Sequence, residues 1–556
     1  MRIVSFTFLL SIVVAFVPVA RAAEPPLATT QAKRPNILVL SVEDMSPWLG
    51  CYGDKTAPTP NIDRLAREGV RYTHVFATTP VCAPARHTLI TGMYATSTGA
   101  MHMRNGSHSK EALELDPKVY DDIPLYEAVP PPDVRCFPEF LRAAGYYATN
   151  NVKEDYQFRA PPTAWDESSA KAHYRNRKEG QPFLAVFNCT FTHESQAFPK
   201  AQRRSDVVKA ANVKIPPYYP DTYEVRQTLA QTYNNIVAMD AWVGEKLKEL
   251  DQFGLRDSTV VMFFSDHGVG LPRGKRNCYD SGLRVPLIIR YPDRPTARPR
   301  AEVEERLISF LDFAPTMLSL CGMKPPSYMK GRPFAGAYTA DDPAEYVFAT
   351  QDRMDATMDM VRSVRDTRYR YIRNFMPEVP HLPLTHYREN LTMMKDIHKL
   401  KQQEKVPHEQ WQMVSEKKPA EEFYDTAKDP YETHNLIDDP QHAARIAEMR
   451  DALDRWTKET KDLGPIKPET KLVREVLWPP NGEQPRTVTP IPVRKGETLT
   501  ITCETEGASI GYRRRGEGPW QVYTAPVQVD PSAAYEIVAH RIGFKRSAIV
   551  EIATER

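Results

Sequence analysis

The sequence lacks the features that mark several specialised classes of protein. Among 556 residues, 73 are Lys or Arg and 71 are Asp or Glu, so the formal net charge is only +2. This balance excludes a dedicated basic nucleic-acid binder and an acidic disordered chain. Seven cysteines are too few for a disulfide scaffold. The hydrophobic content of 41% is that of a soluble protein able to build large cores.

Long apolar runs are absent from the sequence except at its start. Met1 and Arg2 precede an apolar stretch over residues 3–20, which is followed by a small-x-small motif at 20–22. This order is typical of a secretory signal peptide, which we assign to residues 1–22. An uncleaved anchor is the less favoured alternative, because about 18 residues is the lower limit for crossing a bilayer. We therefore expect a secreted or periplasmic protein with no stable membrane insertion after cleavage.

Glycine is scarce beside proline, since the chain has 25 glycines and 49 prolines. Seven prolines fall between residues 465 and 492, where they predict a stiff linker. Before this segment strand-like runs alternate with helix-like runs, and after it short period-two runs are separated by turn residues. We therefore predict a large α/β domain at 33–465, a proline-rich linker at 466–484 and a small β-sandwich at 485–556.

Three short apolar runs define the strands of the large domain, at residues 37–42, 183–187 and 259–264. Nearly continuous runs of this length are expected of strands buried on both faces of a parallel sheet. Helical patterns lie between them, at 60–68 and 228–250. The alternation predicts an α/β sandwich with helices on both faces of a central sheet.

Acidic and imidazole side chains follow each of these strands. Glu43 and Asp44 follow the first strand, His193 comes shortly after the second, and Asp266 and His267 follow the third. Ligands bind outside the carboxyl ends of strands in open α/β sheets. Two carboxylate-bearing pairs at that edge predict an oxygen-rich site for a hard cation such as Ca²⁺ or Mg²⁺. The alternative for either pair alone is a helix cap or a solvated loop.

Cys82 lies in a setting that favours an anion. Pro84 suits a first helical turn and Gly92 suits a helix stop, so a short helix is predicted just after Cys82. Arg86 falls about one turn further on. Free N–H groups and a guanidinium would lower the pKa of the Cys82 thiol. A buried core cysteine is the alternative, and this local chemistry leaves both interpretations open.

These residues resemble the formylglycine-dependent sulfatases of the alkaline phosphatase superfamily, and most closely their heparan N-sulfatase (sulfamidase)-like members. The family signature Cys-x-Pro-Ser-Arg is matched by Cys82-Ala83-Pro84-Ala85-Arg86. Similar stretches extend over residues 33–460, at 36–44, 59–66, 265–268, 274–286, 311–316, 375–380, 422–425 and 429–436. The resemblance implies an alkaline-phosphatase-like mixed sheet and assigns residues 33–465 to the catalytic domain.

The resemblance also implies two cofactors. A formylglycine-generating enzyme would oxidise Cys82 to formylglycine, whose hydrate presents two hydroxyls: one attacks sulfur and the other then expels sulfate. One Ca²⁺ ion would neutralise the sulfate oxygens. By the resemblance, its ligands are Glu43, Asp44, Asp266, His267 and the oxygen that Cys82 acquires.

Further catalytic residues are implied by the same family pattern. Arg86 would support the formylglycine, and Lys153 and Lys275 match two lysines that contact the sulfate. His193 matches the histidine at the leaving group and is the best general-acid candidate. Independently of the family, a negatively charged sulfuryl group calls for cationic side chains and a dication around it.

The sequence departs from the family pattern at four positions. Ala85 replaces the signature serine, Glu43 stands where aspartate is common, and His267 replaces a frequent asparagine. Asp155 stands where histidine is expected, and it would either orient the formylglycine hydroxyl or reach a substrate hydroxyl or amine. His102 belongs to a stretch that resembles a pocket-lining segment, with a structural loop histidine as the alternative.

The sequence therefore predicts a secreted, calcium-dependent sulfatase acting on a sulfated oligo- or polysaccharide such as heparan sulfate, by cleavage of O-sulfate or N-sulfate. A phosphodiester or phosphonate-ester hydrolase of the same superfamily is one alternative. A glycan-binding protein that has lost catalysis is the other. A homodimer is possible, and no nucleic-acid partner is expected.

Overall fold

The computed structural model describes residues 34–292 and 302–554, so the predicted signal peptide at 1–22 lies outside the described residues. Within these ranges, no helix combines the length and the apolar character needed to cross a membrane. All seven cysteines lie in the described ranges, and each is a free thiol.

Strands and helices alternate through the first half of the chain, and strands dominate its end. The strands are β1 (Asn36–Val42), β2 (Val70–Phe76), β3 (Tyr147–Asn151), β4 (Glu167–Ser168), β5 (Phe183–Cys189), β6 (Thr259–Ser265), β7 (Leu287–Arg290), β8 (Glu302–Ser309), β9 (Val347–Gln351), β10 (Val361–Arg365), β11 (Tyr369–Asn374), β12 (Glu421–Asp425), β13 (Ile491–Lys495), β14 (Thr498–Thr502), β15 (Ser509–Arg514), β16 (Gln521–Tyr523), β17 (Val527–Gln528), β18 (Tyr535–His540) and β19 (Val550–Ile552). The α-helices are α1 (Pro60–Glu68), α2 (Cys82–Thr91), α3 (Lys110–Leu115), α4 (Phe137–Ala143), α5 (Tyr223–Gln252), α6 (Asp280–Leu283), α7 (Phe313–Leu320), α8 (Thr392–Gln402), α9 (His408–Val414), α10 (Ala443–Glu459) and α11 (Glu469–Leu472). A π-helical turn, Val473–Leu477, follows α11.

Eight strands form the central sheet, in the order β4-β3-β5-β1-β6-β7-β2-β8. Strand β7 runs antiparallel to both of its neighbours, while the pairs β4-β3, β3-β5, β5-β1, β1-β6 and β2-β8 are parallel. The three apolar runs identified in the sequence are β1, β5 and β6, the central strands. The predicted mixed α/β sheet is therefore confirmed.

Both faces of this sheet are covered by helices. Along β1, Ile37 and Val39 pack with residues of α2, α4 and α7, while Leu38 and Leu40 pack with residues of α1, α5 and α8. Successive side chains of a strand point to opposite faces, so a strand with no polar alternation requires an apolar layer on each side. The predicted placement of helices on both faces is confirmed.

The register of the parallel strands brings their carboxyl ends to one edge. Val42 at the end of β1 lies beside Cys189 of β5 and beside Ser265 of β6. At the end of β3, Asn151 lies beside Phe187 of β5. The residues that follow these strands therefore start from neighbouring positions at the same edge.

A second sheet of four antiparallel strands has the order β12-β11-β10-β9. Val364, Tyr371 and Phe423 of this sheet form a separate core with Leu453 and Trp456 of α10. The sheet thus buries one face against a helix, as an antiparallel sheet with one apolar face must.

The end of the chain forms two small antiparallel sheets, β13-β14-β17 and β16-β15-β18-β19. Leu499, Ile501 and Ile537 are among the residues of the core that these strands share, in agreement with the predicted small all-β region. The proline-rich segment before it is not extended throughout: it contains α11 and the π-helical turn. Leu472 and Leu477 belong to the same core as the central sheet, because their apolar side chains are buried there. The domain boundaries at 465 and 485 stay predictions.

Candidate active site

Cys82 is the first residue of α2 and is only 1% exposed. Val81 before it is extended, and the helix ends at Gly92, which has a left-handed φ of 70° and donates its N–H to the Thr88 carbonyl. The helix predicted from Pro84 and Gly92 is confirmed, except that it includes Cys82. The Cys82 Sγ lies 3.4 Å from His267 Nε2, so the sulfur faces the predicted cation site.

Three carboxylates lie close to this sulfur. Glu43, Asp44 and Asp266 are each at most 2% exposed. Ligand atoms of Glu43, Asp44, Cys82 and His193 lie within 4.8 Å of one another, and so do those of Cys82, Asp266 and His267. The structure therefore brings together all five residues named as metal ligands from the sequence, and Cys82 belongs to both groups.

His267 presents a ring nitrogen to this group. Its Nδ1 lies 2.9 Å from the Gly268 carbonyl, to which it donates, and its Nε2 lies 3.0 Å from Asp44 Oδ1. Burial lowers the pKa of His267, but Asp266 and Asp44 raise it to about 10. The ring therefore carries a proton on Nε2 when no metal ion is bound there. Because Nδ1 donates to the Gly268 carbonyl, Nε2 is the atom that a neutral His267 offers to a metal ion.

Asp44 is the most heavily contacted carboxylate of the site. Its backbone lies in the left-handed region at a φ of 52°, which Asp tolerates better than most residues. Its Oδ2 accepts from the Glu194 backbone N–H at 2.8 Å and lies 2.8 Å from Lys275 Nζ. Burial raises the pKa of Asp44, but Lys275 and other cations hold it well below the usual value.

Two lysines make ion pairs with these carboxylates. Lys153 Nζ lies 2.7 Å from Glu43 Oε2, and Lys275 Nζ lies 3.4 Å from His193 Nε2. Burial raises the pKa of the Cys82 thiol, but Lys153 and Lys275 lower it to about 6. The pKa of Cys82 is therefore lowered, as predicted, but by the two lysines rather than by Arg86.

Arg86 lies one turn along α2 and holds the neighbouring residues in place. Its Nε donates to Asp266 Oδ2 at 3.0 Å and its Nη1 donates to Asn188 Oδ1 at 2.9 Å. Its buried Nη2 has no hydrogen-bond partner in the described part of the chain. Asn188, which in turn donates to Asn150 at 2.9 Å, was not identified as a site residue from the sequence.

His193 and Asp155 also reach this group. His193 Nδ1 lies 2.9 Å from Ser195 Oγ, and its Nε2 lies 3.8 Å from Glu43 Oε2. Burial lowers the pKa of His193, but Asp44 and Glu43 contribute to raising it above its usual value. Asp155 lies beside Lys153, with 3.9 Å between carboxylate and ammonium. The other five predicted catalytic residues therefore lie near Cys82 or its neighbours.

Two further charged residues were missed by the sequence reasoning. Arg276 makes a bidentate pair with Glu194 at 2.8 and 2.9 Å, and Lys275 lies 2.9 Å from the same carboxylate. Burial raises the pKa of Glu194, but Arg276 and Lys275 lower it to about 2. Their positions in the sequence could have identified them as site residues, because Glu194 directly follows His193 and Arg276 directly follows Lys275.

His102 has a structural position. It is 1% exposed, its Nδ1 accepts from the Arg353 N–H at 3.2 Å, and it lies 3.9 Å from Glu469. Burial and the charge of Arg353 lower its pKa well below the usual value. Of the two alternatives for His102, the structure therefore favours the structural histidine.

A pocket of about 320 Å³ adjoins the site. Its lining includes His193 and Lys275, together with Arg104, Asp355 and Tyr387. The pocket lies within the usual range for small-molecule sites, and most of its lining is polar or charged, which suits a hydrophilic ligand.

Comparison with known families supports the resemblance seen in the sequence. Residues 35–323 match the family model described as sulfatase, and residues 273–419 match that of the N-sulphoglucosamine sulphohydrolase C-terminal region. The chain is 41% identical to an ulvan-active sulfatase of Formosa agariphila over 561 residues, covering 94% of this chain and 92% of that protein. It is 25% identical to human N-sulphoglucosamine sulphohydrolase over 496 residues, covering 80% and 94%.

A solved structure shares the fold. It is a complex with D-glucosamine-2-N,6-O-disulfate, named as its substrate, and it matches with a TM-score of 0.54 and 18% identity over 78% of this chain and 99% of that one. This likeness supports the alkaline-phosphatase-like architecture expected from the sequence. Together with the family match over more than half of the chain, these findings settle the classification: the chain belongs to the sulfatase family and is a sulfuric ester hydrolase.

Proposed function

We propose that this enzyme removes sulfate from a sulfated glycan, as an O-sulfate ester or a sulfamate, by means of a formylglycine formed from Cys82. The observation that carries the proposal is the position of Cys82 at the edge of the central sheet. Three buried carboxylates lie around it, and two lysines that pair with Glu43 and Asp44 lower the pKa of its thiol. Groups that can bind a cation and groups that can bind an anion therefore both lie near Cys82.

The residues present fit a Ca²⁺ ion. The donor set is mainly oxygen, from Glu43, Asp44 and Asp266, with His267 Nε2 and an oxygen of the converted Cys82 to complete it. Hard cations prefer such ligands. When bound, the ion would neutralise the sulfate oxygens and favour loss of a proton from the attacking hydroxyl.

Charge balance supports the same assignment. Five carboxylates face four cationic side chains at the site. The carboxylates belong to Glu43, Asp44, Asp155, Glu194 and Asp266, and the cations belong to Arg86, Lys153, Lys275 and Arg276. The site therefore has no surplus positive charge for an anionic substrate, apart from a protonated histidine. A dication would supply that surplus, because the interaction of opposite charges is strong in a buried site.

The side chains divide the chemical work. The hydrated formylglycine would supply one hydroxyl that bonds to sulfur and a second that loses its proton as sulfate departs. Lys153 and Lys275 hold the sulfate oxygens, and His193 donates the proton that the leaving oxygen or nitrogen takes as its bond to sulfur breaks. Arg86 keeps Asp266 in place through the contact at 3.0 Å.

Carbohydrate is the substrate class that we propose. The ulvan-active relative and the human N-sulphoglucosamine sulphohydrolase are both named for sulfated saccharides. The mainly polar pocket agrees with a saccharide, since its lining offers charged groups to hydroxyls and sulfates. We also propose that the protein is exported, because residues 1–22 have the order of a signal peptide.

The test is mass spectrometry of the peptide that contains Cys82, from active protein, combined with sulfate release from defined substrates. We expect the lower mass of formylglycine and release of sulfate from a sulfated saccharide. An unmodified thiol in fully active protein would contradict the mechanism. Faster turnover of an aryl phosphodiester than of an aryl sulfate would instead favour the phosphoester hydrolase alternative. No turnover of any substrate would favour the binding protein.

A further inference from the structure

Arg104 belongs to the lining of the active-site pocket, which also contains His193 and Lys275. Its side chain is exposed, and within residues 34–292 and 302–554 it makes no hydrogen bond or ion pair. Asp155 and Asp355 act on it electrostatically: burial lowers the pKa of Arg104, and these two carboxylates raise it. The guanidinium therefore retains all of its donors for a ligand in the pocket.

Two other cations of the pocket, Lys275 and Arg276, are already paired. Arg276 makes its bidentate contact with Glu194, and Lys275 contacts Asp44 and Glu194. His108 Nε2 donates to the Ile123 carbonyl at 3.1 Å, and its ring stacks on Tyr120. Arg104 thus differs from Lys275 and Arg276 in having no partner that it must give up on binding.

The backbone around Arg104 is fixed. Met103 donates its N–H to the Arg353 carbonyl at 2.8 Å, and the Asn105 carbonyl accepts from Tyr126 N–H at 2.9 Å. The Asn105 side chain bonds the Gly99 carbonyl at 3.0 Å. Both neighbours of Arg104 are buried, at 6% and 0% exposure. Because the backbone on both sides is fixed, only the rotamer freedom of the Arg104 side chain is lost when it binds a ligand.

We propose that Arg104 selects the substrate by binding a second anionic group, a carboxylate or a further sulfate, on the sugar that carries the scissile sulfate or on the adjacent sugar. The proposal rests on the proposed function. Guanidinium groups present parallel donors that match the oxygens of carboxylates and sulfates. Lys110, an exposed residue of the same lining, adds positive charge near this position.

The test compares four substrates: an aryl sulfate, a monosulfated neutral disaccharide, the same disaccharide with a uronate in place of the neutral sugar, and a disulfated disaccharide. The variants are Arg104→Ala and Arg104→Lys, with Arg67→Ala as the matched control, because Arg67 is an exposed arginine on α1. We expect Arg104→Ala to lower kcat/KM about 10- to 100-fold on a substrate with a second anion. On the aryl sulfate and the neutral disaccharide we expect little change, and the lysine variant should recover part of the loss.

The pattern of loss identifies the anion. A loss confined to the uronate substrate assigns a carboxylate, and a loss confined to the disulfated substrate assigns a sulfate. An equal loss on all four substrates, or no loss on any, would overturn the proposal. Calorimetric titration of the two dianionic saccharides into Cys82→Ala protein, with and without Arg104→Ala, tests the selection role of Arg104 separately from the proposed sulfatase function. Binding that weakens on removal of Arg104 supports the selection role even if the native enzyme releases no sulfate, and unchanged binding refutes it.

Discussion

Two buried groups of charges in this protein differ in how completely their members are paired. Around Arg362, which is 0% exposed, every guanidinium nitrogen has a partner: Asp352 lies at 3.0 and 3.1 Å, and Asp462 at 2.5 and 2.9 Å. Around Cys82 the cations include two lysines, each a point charge, and Arg86 keeps one nitrogen without a partner. We call the group around Arg362 the closed group, because its side chains satisfy all of the guanidinium nitrogens. The group around Cys82 is the open group, because a donor there lacks a partner.

The difference separates charges that hold the fold from charges that serve a ligand. Planar bidentate pairs satisfy both partners and leave no capacity for a third group. Ammonium groups with several possible acceptors can turn toward an incoming anion, because their donors rotate about a flexible stem. Burial of charge is thus common to both groups, and the geometry of pairing distinguishes them.

The largest expected effect is on turnover, when Cys82 at the centre of the open group is replaced. Cys82→Ala should lower turnover of the best sulfated substrate at least about a thousandfold, because no nucleophile remains. The free energy of unfolding should change by only about 1 kcal/mol, since a small side chain replaces another at a helix start. Activity within tenfold of the parent would refute the assignment of Cys82. Calcium titration of both proteins shows whether the cation site survives the change.

Breaking the closed group should have the opposite result. Arg362→Ala leaves the carboxylates of Asp352 and Asp462 buried without a cation, so we expect a loss of about 3–5 kcal/mol in the free energy of unfolding. Denaturant unfolding measures that loss, and the activity of the protein that remains folded should be close to the parent. As the matched control, Arg362→Met combined with Asp352→Asn and Asp462→Asn should recover much of the stability. A variant with normal stability and poor activity would reverse the comparison.

A buried neutral group offers the smallest of the three tests. His87 is 0% exposed, donates from Nδ1 to the Tyr156 carbonyl at 3.0 Å and accepts at Nε2 from the Thr98 hydroxyl at 2.8 Å. Burial lowers its pKa from 6.5 to about 4, although the bond to Tyr156 raises it slightly. Its contribution to stability is therefore complete above about pH 6.5 and is lost as the pH falls through about 4.

The expected loss from His87 is up to about 3 kcal/mol over that interval. Unfolding curves between pH 7 and pH 4 measure it, and His87→Gln is the control because its amide does not titrate. The variant should lose less stability than the parent over the interval. Parallel curves for the two proteins would show that His87 does not titrate as its surroundings indicate.

Much of the fold could be predicted because strand composition and strand ends carry strong signals. Continuous apolar runs identified β1, β5 and β6, and the residues that follow them, such as Glu43 and Asp266, lie together as the topology requires. Pro84 and Gly92 marked the limits of α2 to within a residue. These inferences depend on local sequence alone, which is why they succeeded.

The rest depended on contacts between distant segments. Glu194 and Arg276 form their pair across 82 positions of the chain, and either residue alone reads as a surface charge. The segment after Pro465 was predicted to be a linker because of its prolines, yet Leu472 and Leu477 are buried in the main core. Proline content reports on local stiffness, whereas burial depends on the surface that the segment meets.

That segment also supports a loop that lines the pocket. Leu477 lies so close to Gly99 that a Cβ at Gly99 would meet its side chain at 2.8 Å, and Glu469 pairs with Arg353, whose carbonyl holds Met103. The loop that carries Arg104 therefore rests on residues well beyond the stretch that matches the sulfatase model. Truncating the chain at residue 465 would remove the contacts of Glu469 and Leu477 that support that loop. Random changes between 469 and 477 are accordingly a route by which laboratory evolution could retune substrate choice without altering the catalytic residues.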